Sequence, residues 1–438
     1  MKNIDTLLHA RWIVPVDQQK SYLEHHSIAI HDDNIIDILP SDKVQDLYTA
    51  ESELNYPNHV LMPGMINAHT HAAMNLFRGL SDDLALMDWL ENHIWPAEVK
   101  WVNEDFVQTG TELAIAEMIR GGTTCFNDMY FFPDVTARVA SKAGIRATVG
   151  LIVLDFPTVW ANDADEYIDK GLTLRDIYRE DELIKTAFAP HAPYTVSDAP
   201  LKKLRILADE LEIPIHMHLH ETAHEVDESV KSSGMRPIQR LDDLGLISPS
   251  LIAVHMTQLD DSEITRLAEV GSHVVHCPQS NLKLASGFCP IKSLIDKGVN
   301  VAIGTDGSAS NNDLDMFSEM QTAALLAKGV AKDATAVTAH QTLEMATING
   351  AKAMGLDEKT GSLEKGKSAD IIAIDFDMIE TLPVYDPISH LVYSCGRDQI
   401  SDVWVAGKHL MNNRVLTTMD IDQIKSDTIG WQDKINSN

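Results

Sequence analysis

The feature that most constrains the fold is an alternation of short apolar strands and longer helical segments between about residues 61 and 370. Segments such as 103–120, 198–211, 261–270 and 313–328 have helical patterning and separate most of the strands. The strand-like runs are Val60–Gly64, Gly121–Asp128, Arg146–Val153, Ile184–Pro190, Ile215–Leu219, Leu251–His255, His273–His276 and Asn300–Gly304. Eight strand–helix units predict a closed parallel (β/α)8 barrel. A doubly wound open sheet is the alternative, and the number of units disfavours it.

The two ends of the chain resemble each other and differ from the middle. Both contain short β-rich runs, which are Ile13–Val16, Ser27–Ile30 and Ile35–Ile38 at one end and Ala369–Asp375, Ile400–Ala406 and Arg414–Leu416 at the other. We therefore predict a small β-sandwich domain formed by residues 1–60 and 371–438, with a catalytic barrel of residues 61–370 inserted between them. The polar stretch 418–438 is predicted to form a surface helix.

Charge and cysteine content narrow the function. The chain carries 35 Lys and Arg against 65 Asp and Glu, a net charge of −30, with no basic run of the kind that binds nucleic acid or anionic membranes. Its four cysteines lie far apart and form no CxxC pair, which disfavours a disulfide framework or a cysteine zinc site. There is no signal-peptide pattern and no apolar run of about 20 residues. These features predict a cytoplasmic protein that acts on a small molecule.

Two histidines, His69 and His71, follow closely on the first strand. Side chains at positions i and i+2 of an extended segment point to the same side, so the two imidazoles can share one metal ion. Alone, the His-x-His pair is weak support for a metal site, because two such histidines are more often ordinary residues.

Further candidate residues end later strands. The fifth strand leads into His216-Met217-His218-Leu219-His220-Glu221, whose histidines offer a third metal ligand and whose glutamate offers a proton shuttle. His255 closes the sixth strand, and Asp306, which can hold metal and accept a proton, follows the eighth. Active sites of (β/α)8 barrels lie at the C-terminal ends of the strands. The ordered set therefore predicts a metal-assisted active site.

This ordered set resembles the amidohydrolase superfamily, and the resemblance extends from the N-terminal strands to Gly366-Lys367-Ser368-Ala369-Asp370. Within that superfamily, the segment PGMINAHTHAAMNLFRGLSDDLALMDWLENHIWPAE is similar to the 5′-methylthioadenosine/S-adenosylhomocysteine deaminases. Their branch also holds triazine chlorohydrolases and guanine deaminases. The implied reaction is hydrolytic deamination of the adenine 6-amino group of 5′-methylthioadenosine, S-adenosylhomocysteine or both.

The resemblance also implies roles for particular residues. The zinc ligands are His69, His71, His218 and Asp306, with His218 chosen because it stands three positions before Glu221, as in the family pattern. His255 holds the attacking water, Asp306 takes its proton, and Glu221 moves protons at the purine ring. The remaining contacts are to the substrate, with Glu98 on the ribose hydroxyls and His191 as a further contact.

The fourth barrel strand indicates how many metal ions the site holds. Many relatives bridge two metal ions with a carbamylated lysine at the end of that strand, whereas here Lys185 stands near its start and no lysine ends it. We therefore predict one zinc ion per subunit. A homo-oligomer is expected only because soluble enzymes commonly form one.

Several alternatives stay open at this point. The same fold can hydrolyse guanine, cytosine or a triazine, and a metal-free relative can act as a binding protein. A phosphate-ester hydrolase is a third possibility, but it would normally use the two-metal lysine site. The 5′ substituent of the substrate is also open. A methylthio group could pack on apolar side chains, whereas a homocysteine carboxylate needs a cation. The apolar candidates are Leu84, Met87, Trp89 and Phe77, and the cationic candidates are Arg146, Arg175 and Arg179.

Overall fold

The computed structural model describes residues 1–437, which form two sheets surrounded by helices. The strands are β1 (Lys2–Ile13), β2 (Leu23–His31), β3 (Asn34–Pro40), β4 (Tyr48–Pro63), β5 (Met65–Thr70), β6 (Thr123–Asp128), β7 (Arg146–Val153), β8 (Ile184–Pro190), β9 (Ile215–Leu219), β10 (Leu251–His255), β11 (His273–His276), β12 (Asn300–Ile303), β13 (Ile371–Asp375), β14 (Ile400–Val405), β15 (Lys408–Asn412) and β16 (Val415–Leu416).

The α-helices follow the same chain order. They are α1 (Val44–Leu47), α2 (Leu86–Trp89), α3 (Trp95–Trp101), α4 (Glu104–Arg120), α5 (Pro133–Ala143), α6 (Ala164–Tyr178), α7 (Asp198–Leu211), α8 (Ala223–Ser233), α9 (Pro237–Asp243), α10 (Asp261–Val270), α11 (Pro278–Lys283), α12 (Ile291–Asp296), α13 (Ser308–Asn311), α14 (Met316–Ala331), α15 (Ala339–Met345), α16 (Ile348–Ala353), α17 (Pro387–Tyr393) and α18 (Ile421–Asn436). A π-helical turn, Leu90–Ile94, joins α2 to α3. No helix within residues 1–437 has the length and apolarity needed to cross a bilayer.

The central sheet is the predicted barrel. Strands β5 to β12 lie side by side in chain order, and each paired neighbour is parallel. The ring closes where the backbone amide of Asp306, just after β12, donates to the carbonyl of His69 at 3.0 Å. Gly304 permits this approach, because a Cβ on it would lie 2.7 Å from the backbone nitrogen of His69.

The second sheet is built from both termini, as predicted. Its strand order is β16-β15-β14-β13-β4-β1-β2-β3. Strand β4 lies in its middle, where it pairs in parallel with β1 and antiparallel with β13. Buried side chains from both ends of the chain, including Leu8, Ile28, Leu61, Ile371 and Trp404, pack on this sheet. The small domain therefore cannot be completed by either terminus alone.

Some strand assignments made from the sequence were wrong. The run Val60–Gly64 is not the first barrel strand, because residues up to Pro63 continue β4 and the barrel begins at Met65. Ile13–Val16 is not a separate strand either: Ile13 ends β1 and the next three residues form a loop. The other seven barrel strands lie at or within the predicted ranges.

The predicted terminal helix is confirmed as α18, and it is less exposed than its composition indicates. Its N-cap is Asp420, whose side chain accepts from the backbone amides of Asp422 and Gln423. Trp431 is buried against α4, where its indole Nε1 donates to the Thr109 hydroxyl at 3.3 Å. The C-terminal helix thus packs on the barrel layer.

Candidate active site

Three imidazoles and one carboxylate meet at the C-terminal end of the barrel. His69 lies near the end of β5, His71 directly follows that strand, His218 lies in β9 and Asp306 follows β12. The His69 Nε2 atom is 3.2 Å from His218 Nε2 and 3.4 Å from Asp306 Oδ1. His71 Nε2 is 3.3 Å from the same carboxylate oxygen. Four atoms that can bind a metal ion therefore lie together, and we call the four residues that carry them the donor cluster.

The hydrogen-bond partners of these rings show that the donors fit a cation. His71 Nδ1 faces the carbonyl of Met129 at 2.5 Å, and His218 Nδ1 faces the carbonyl of His191 at 3.0 Å. A carbonyl only accepts, so both Nδ1 atoms carry a proton, and in the neutral form of each ring Nε2 presents a lone pair. Lone pairs and a carboxylate oxygen that face one another repel unless a positive ion lies between them.

Burial keeps this donor set ready for metal. His69 is fully buried, which lowers its pKa to about 4, and burial lowers the pKa of His218 well below its ordinary value. Both rings are therefore neutral at pH 7, as metal ligation requires. Nitrogen and carboxylate ligands of this kind suit zinc.

Two polar groups fix Asp306 in place. Its Oδ2 accepts from the Ser280 hydroxyl at 2.7 Å, while its Oδ1 accepts from the backbone amide of Gly307 at 2.8 Å. The backbone of Asp306 is left-handed, with φ of +63°. That conformation is uncommon for residues other than glycine and concentrates at functional sites.

His255 presents a donor to the same space. Asn281 Nδ2 donates to His255 Nδ1 at 3.0 Å, which leaves the proton of the neutral ring on Nε2. That Nε2 atom lies 3.9 Å from Glu221 Oε2. His255 also has a left-handed backbone, with φ of +77°, so two of the site residues are held in strained conformations.

Glu221 is held so that it stays protonated at neutral pH. Burial, together with the nearby charge of Asp306, raises its pKa to about 8. Its backbone amide donates to Glu225 Oε2 at 2.8 Å, and the Ser286 hydroxyl lies 3.4 Å from Glu221 Oε1. A carboxyl group with this pKa can give a proton and take it back near neutrality.

Glu98 approaches the same space from α3. The Tyr130 hydroxyl donates to Glu98 Oε1 at 2.7 Å, so one carboxylate oxygen is fixed while the other is free to accept further bonds. Burial raises the pKa of Glu98 to about 7, although the bond from Tyr130 opposes the rise. Glu98 is thus an oriented acceptor on the wall of the site.

These groups surround one cavity of about 530 Å³. This volume is within the range typical of small-molecule sites. Seven of the residues singled out in the sequence line it: His71, Glu98, His191, His218, Glu221, His255 and Asp306. His69 lies next to it, fully buried among these ligands.

Arg146 is the exception, and the structure corrects the expectation that it contacts substrate. As the first residue of β7 it lies at the opposite end of the barrel. Its guanidinium Nε donates to Asp370 Oδ2 at 3.0 Å, and its Nη2 donates to the Ser368 hydroxyl at 3.0 Å. Arg146 is therefore part of a buried ion pair that joins the barrel to the terminal sheet.

Sequence reasoning missed the residues that hold the site in place. Tyr130 follows the end of β6, and Ser280 and Asn281 follow the end of β11. Their position after barrel strands was a usable signal, because polar residues there face the site. His216 was not missed: the sequence assigned it to packing or to support of the ligands, and its Nε2 lies 2.9 Å from Nδ1 of His69.

Comparisons with known proteins show which families and folds this chain is similar to. Residues 60–410 match the sequence model of the Amidohydrolase family. A relative from Saccharophagus degradans, named 5-methylthioadenosine/S-adenosylhomocysteine deaminase, is 53% identical over 431 residues, covering 98% of this chain and 97% of its own.

Solved structures are also similar. An adenosine deaminase from Xanthomonas campestris with bound zinc has a TM-score of 0.99 and 50% identity, covering 100% of both chains. Atrazine chlorohydrolase TrzN from Arthrobacter aurescens, complexed with zinc, has a TM-score of 0.92 at 23% identity and covers 97% of this chain and 99% of its own. The second likeness shows the fold alone.

Proposed function

Because this chain belongs to the amidohydrolase family, we propose that it hydrolyses the 6-amino group of the adenine nucleosides 5′-methylthioadenosine, S-adenosylhomocysteine or both. It is a hydrolase that acts on a C–N bond of a cyclic amidine, and its products are the inosine analogue and ammonia. The reaction needs a metal site, a proton shuttle and a group that recognises the ribose.

The metal is assigned to His69, His71, His218 and Asp306, whose ligand atoms lie 3.2–3.4 Å from one another in the pairs His69–His218, His69–Asp306 and His71–Asp306. When bound there, zinc lowers the pKa of water towards ~7 and so supplies hydroxide at neutral pH. The Ser280 hydroxyl holds Asp306 Oδ2, which keeps the carboxylate oriented when it takes the proton of the water.

Two residues act on the reacting atoms of the purine. His255 donates through Nε2 and holds the oxygen that attacks C6. Glu221 is protonated below pH of about 8, and it gives that proton to N1 of the ring, which makes C6 electrophilic. A new C6–O bond forms, and the ionised Glu221 takes the proton of the new hydroxyl group and gives it to the amino group. The C6–N bond then breaks, ammonia leaves, and the proton held by Asp306 restores Glu221.

Glu98 and His191 bind the rest of the nucleoside. A carboxylate can accept from both hydroxyls of a ribose, and the bond from Tyr130 presents Glu98 in one orientation. His191 lines the same cavity, and burial lowers its pKa to about 3, so it contacts the substrate as a neutral ring. Free bases lack the diol and gain nothing from Glu98.

One zinc ion per subunit is part of this proposal. Lys185 is near the start of β8, and its Nζ donates to the carbonyl of Asp181 at 2.7 Å, away from the donor cluster. A cytoplasmic location is proposed from the four buried cysteines, which are all free. A homo-oligomer is proposed on general frequency alone, with light scattering of the purified protein as its test.

The observation that carries the proposal is that Glu98, Glu221 and three of the four proposed ligands, His71, His218 and Asp306, line one cavity. The test is ammonia release by zinc-loaded protein from 5′-methylthioadenosine, adenosine, adenine, guanine and cytosine, with zinc-free protein as the control. We expect turnover of the nucleosides and a kcat/KM for adenine that is lower by about 10- to 100-fold. This factor corresponds to the free energy that a hydrogen bond to a charged group contributes.

Other outcomes point elsewhere. Faster turnover of guanine or cytosine than of any nucleoside would replace the substrate while leaving the metal site in place. Equal activity of the zinc-loaded and zinc-free proteins would reject the metal assignment. The variant Glu98→Gln should lose activity on nucleosides and leave the low rate on adenine unchanged.

A further inference from the structure

The proposed function leaves open which 5′ substituent the cavity takes, and the cavity mouth bears on that question. With adenine at the donor cluster and ribose at Glu98, the 5′ substituent lies farther out, among the remaining lining residues. These include Trp95 and Val99 on α3, the helix of Glu98, and Phe156 and Val159 on the loop after β7. This part of the wall is apolar.

Three of these side chains are also exposed. Val99 is 80% exposed, Val159 47% and Phe156 46%, although each lines the cavity. Large apolar side chains clustered at the opening of a site commonly serve a ligand with an apolar surface. A thioether with an alkyl group has such a surface.

The cavity also lacks a cation for the α-carboxylate of the zwitterionic homocysteine tail. Among the lining residues within 1–437 there is no lysine or arginine, whereas Glu98, Glu221 and Asp306 are acidic. Nearby Lys170 is engaged, since its Nζ is 2.8 Å from Glu166 Oε1 and also donates to the Trp160 carbonyl.

None of the arginines that the sequence left as candidates reaches the cavity. Arg146 is paired with Asp370 at the other end of the barrel. Arg175 Nη1 lies 3.5 Å from Asp176 Oδ1, and Arg175 Nη2 donates to the carbonyl of Leu211. Arg179 Nε lies 3.6 Å from Glu180 Oε1. Neither Arg175 nor Arg179 lines the cavity.

We propose, on the basis of the proposed function, that the cavity selects adenine nucleosides with an uncharged apolar 5′ thioether and discriminates against the amino-acid tail of S-adenosylhomocysteine. Val159, Phe156 and Val99 determine this specificity. Where the longer tail packs on these side chains, its α-carboxylate gives up part of its hydration and meets no cation, so that part is uncompensated. An alkyl chain of the same length removes apolar surface from water instead.

The test compares kcat/KM for three substrates of the zinc-loaded enzyme: 5′-methylthioadenosine, 5′-butylthioadenosine and S-adenosylhomocysteine. The butyl tail has the length of the homocysteine tail but no charge. We expect the two alkyl thioethers to agree within about threefold and S-adenosylhomocysteine to be at least about tenfold poorer, the effect of an unpaired charged group.

The outcomes separate this inference from the function on which it rests. Equal kcat/KM for S-adenosylhomocysteine and the butyl compound overturns the charge argument and leaves nucleoside deamination intact. If kcat/KM is equally low for S-adenosylhomocysteine and the butyl compound, the enzyme discriminates by the length of the tail. That result also overturns the charge argument. No turnover of any nucleoside rejects the proposed function and this inference together.

A matched pair of variants tests the position directly. Val159→Arg adds the missing cation at the mouth, and Val159→Gln adds a polar side chain without charge. We expect the ratio of kcat/KM for S-adenosylhomocysteine to that for 5′-methylthioadenosine to rise at least about fivefold in the Arg variant, through KM, and not in the Gln variant. The same ratio in both variants overturns the role of Val159.

Discussion

The two ends of the barrel both bury charged groups, but they use them differently. At the N-terminal end, Arg146 and Asp370 satisfy each other, and Asp370 also accepts from the Thr360 hydroxyl at 2.7 Å and the backbone amide of Ala406 at 2.7 Å. At the C-terminal end, His71 Nε2 faces a carboxylate oxygen of Asp306 at 3.3 Å, and the Nε2 atoms of His69 and His218 face each other at 3.2 Å.

The difference separates a structural polar cluster from a functional one. A buried network whose donors and acceptors match is complete and only holds parts of the chain together. A network of acceptors that face one another is incomplete and requires a further positive group. Burial alone therefore does not identify an active site, whereas unmatched donor and acceptor types do.

The largest expected effect is on chemistry at the C-terminal end. Glu221→Gln removes the shuttled proton, and we expect kcat to fall by about 10²- to 10⁴-fold. Zinc content and thermal midpoint should not fall, because the amide fills the same space and no longer places a carboxyl group in a buried site. Glu228→Gln, an exposed change on α8, is the matched control. A thermal midpoint well below that of the Glu228→Gln control would show that Glu221 also stabilises the fold. The contrast between a functional and a structural end of the barrel would then be lost.

The next effect is on stability at the N-terminal end. Arg146→Met leaves the carboxylate of Asp370 buried without its partner, so the free energy of unfolding should fall by about 3–5 kcal/mol. Urea unfolding followed by circular dichroism measures this. The double variant Arg146→Met/Asp370→Asn should recover part of the loss, because it buries no unpaired charge. If the folded Arg146→Met protein lost zinc or turnover, this end of the barrel would have a part in catalysis.

His216 lies between the two cases and sharpens the comparison. It is fully buried and contacts His69 Nδ1, but no partner is found within the described residues for its own Nδ1. We expect His216→Phe to weaken zinc binding by about 10- to 100-fold, as for other residues that orient a ligand. Competition with a chelator measures the affinity, and His216→Gln, which keeps a hydrogen-bonding group, should lose less. An unchanged affinity in the Phe variant would make His216 a packing residue.

The smallest effect is on pH dependence. Burial raises the pKa of Glu98 to about 7, so this carboxyl group is protonated below that pH and ionised above it. Only the ionised form accepts from both ribose hydroxyls, so kcat/KM for a nucleoside should be about tenfold lower at pH 6 than at its plateau. Glu98→Gln should remove this limb of the profile. The same limb on adenine, which has no ribose, would show that another group titrates.

Much of this organisation could be predicted from the sequence. Seven barrel strands were located from apolar runs, because buried parallel strands such as Leu251–His255 are continuously hydrophobic. His69, His71, His218 and Asp306 could be found because the residues that end barrel strands meet at one rim. Both signals are local in the chain, which is why they can be read without the structure.

Other features depend on contacts that the sequence does not show. Most of β1 and the first part of β4 were missed, because their polar and apolar residues form a sheet only by pairing with each other. Arg146 has the charge that a homocysteine tail needs, and only its contact with Asp370 excludes it from the site. The role of Tyr130 likewise depends on α3 placing Glu98 Oε1 2.7 Å from its hydroxyl.

The position of β4 has a consequence for synthesis on the ribosome. Pro63 of β4 pairs with Ile371 of β13, about 300 residues later in the chain. At a translation rate of about 5–20 residues per second, the nascent N-terminal strands wait about 15 to 60 s for that partner. During this time the edge of β4 is unpaired, and such an edge can pair with another chain. The protein is therefore most exposed to misassembly before its last strands emerge, when a chaperone that covers this edge gives it the most protection.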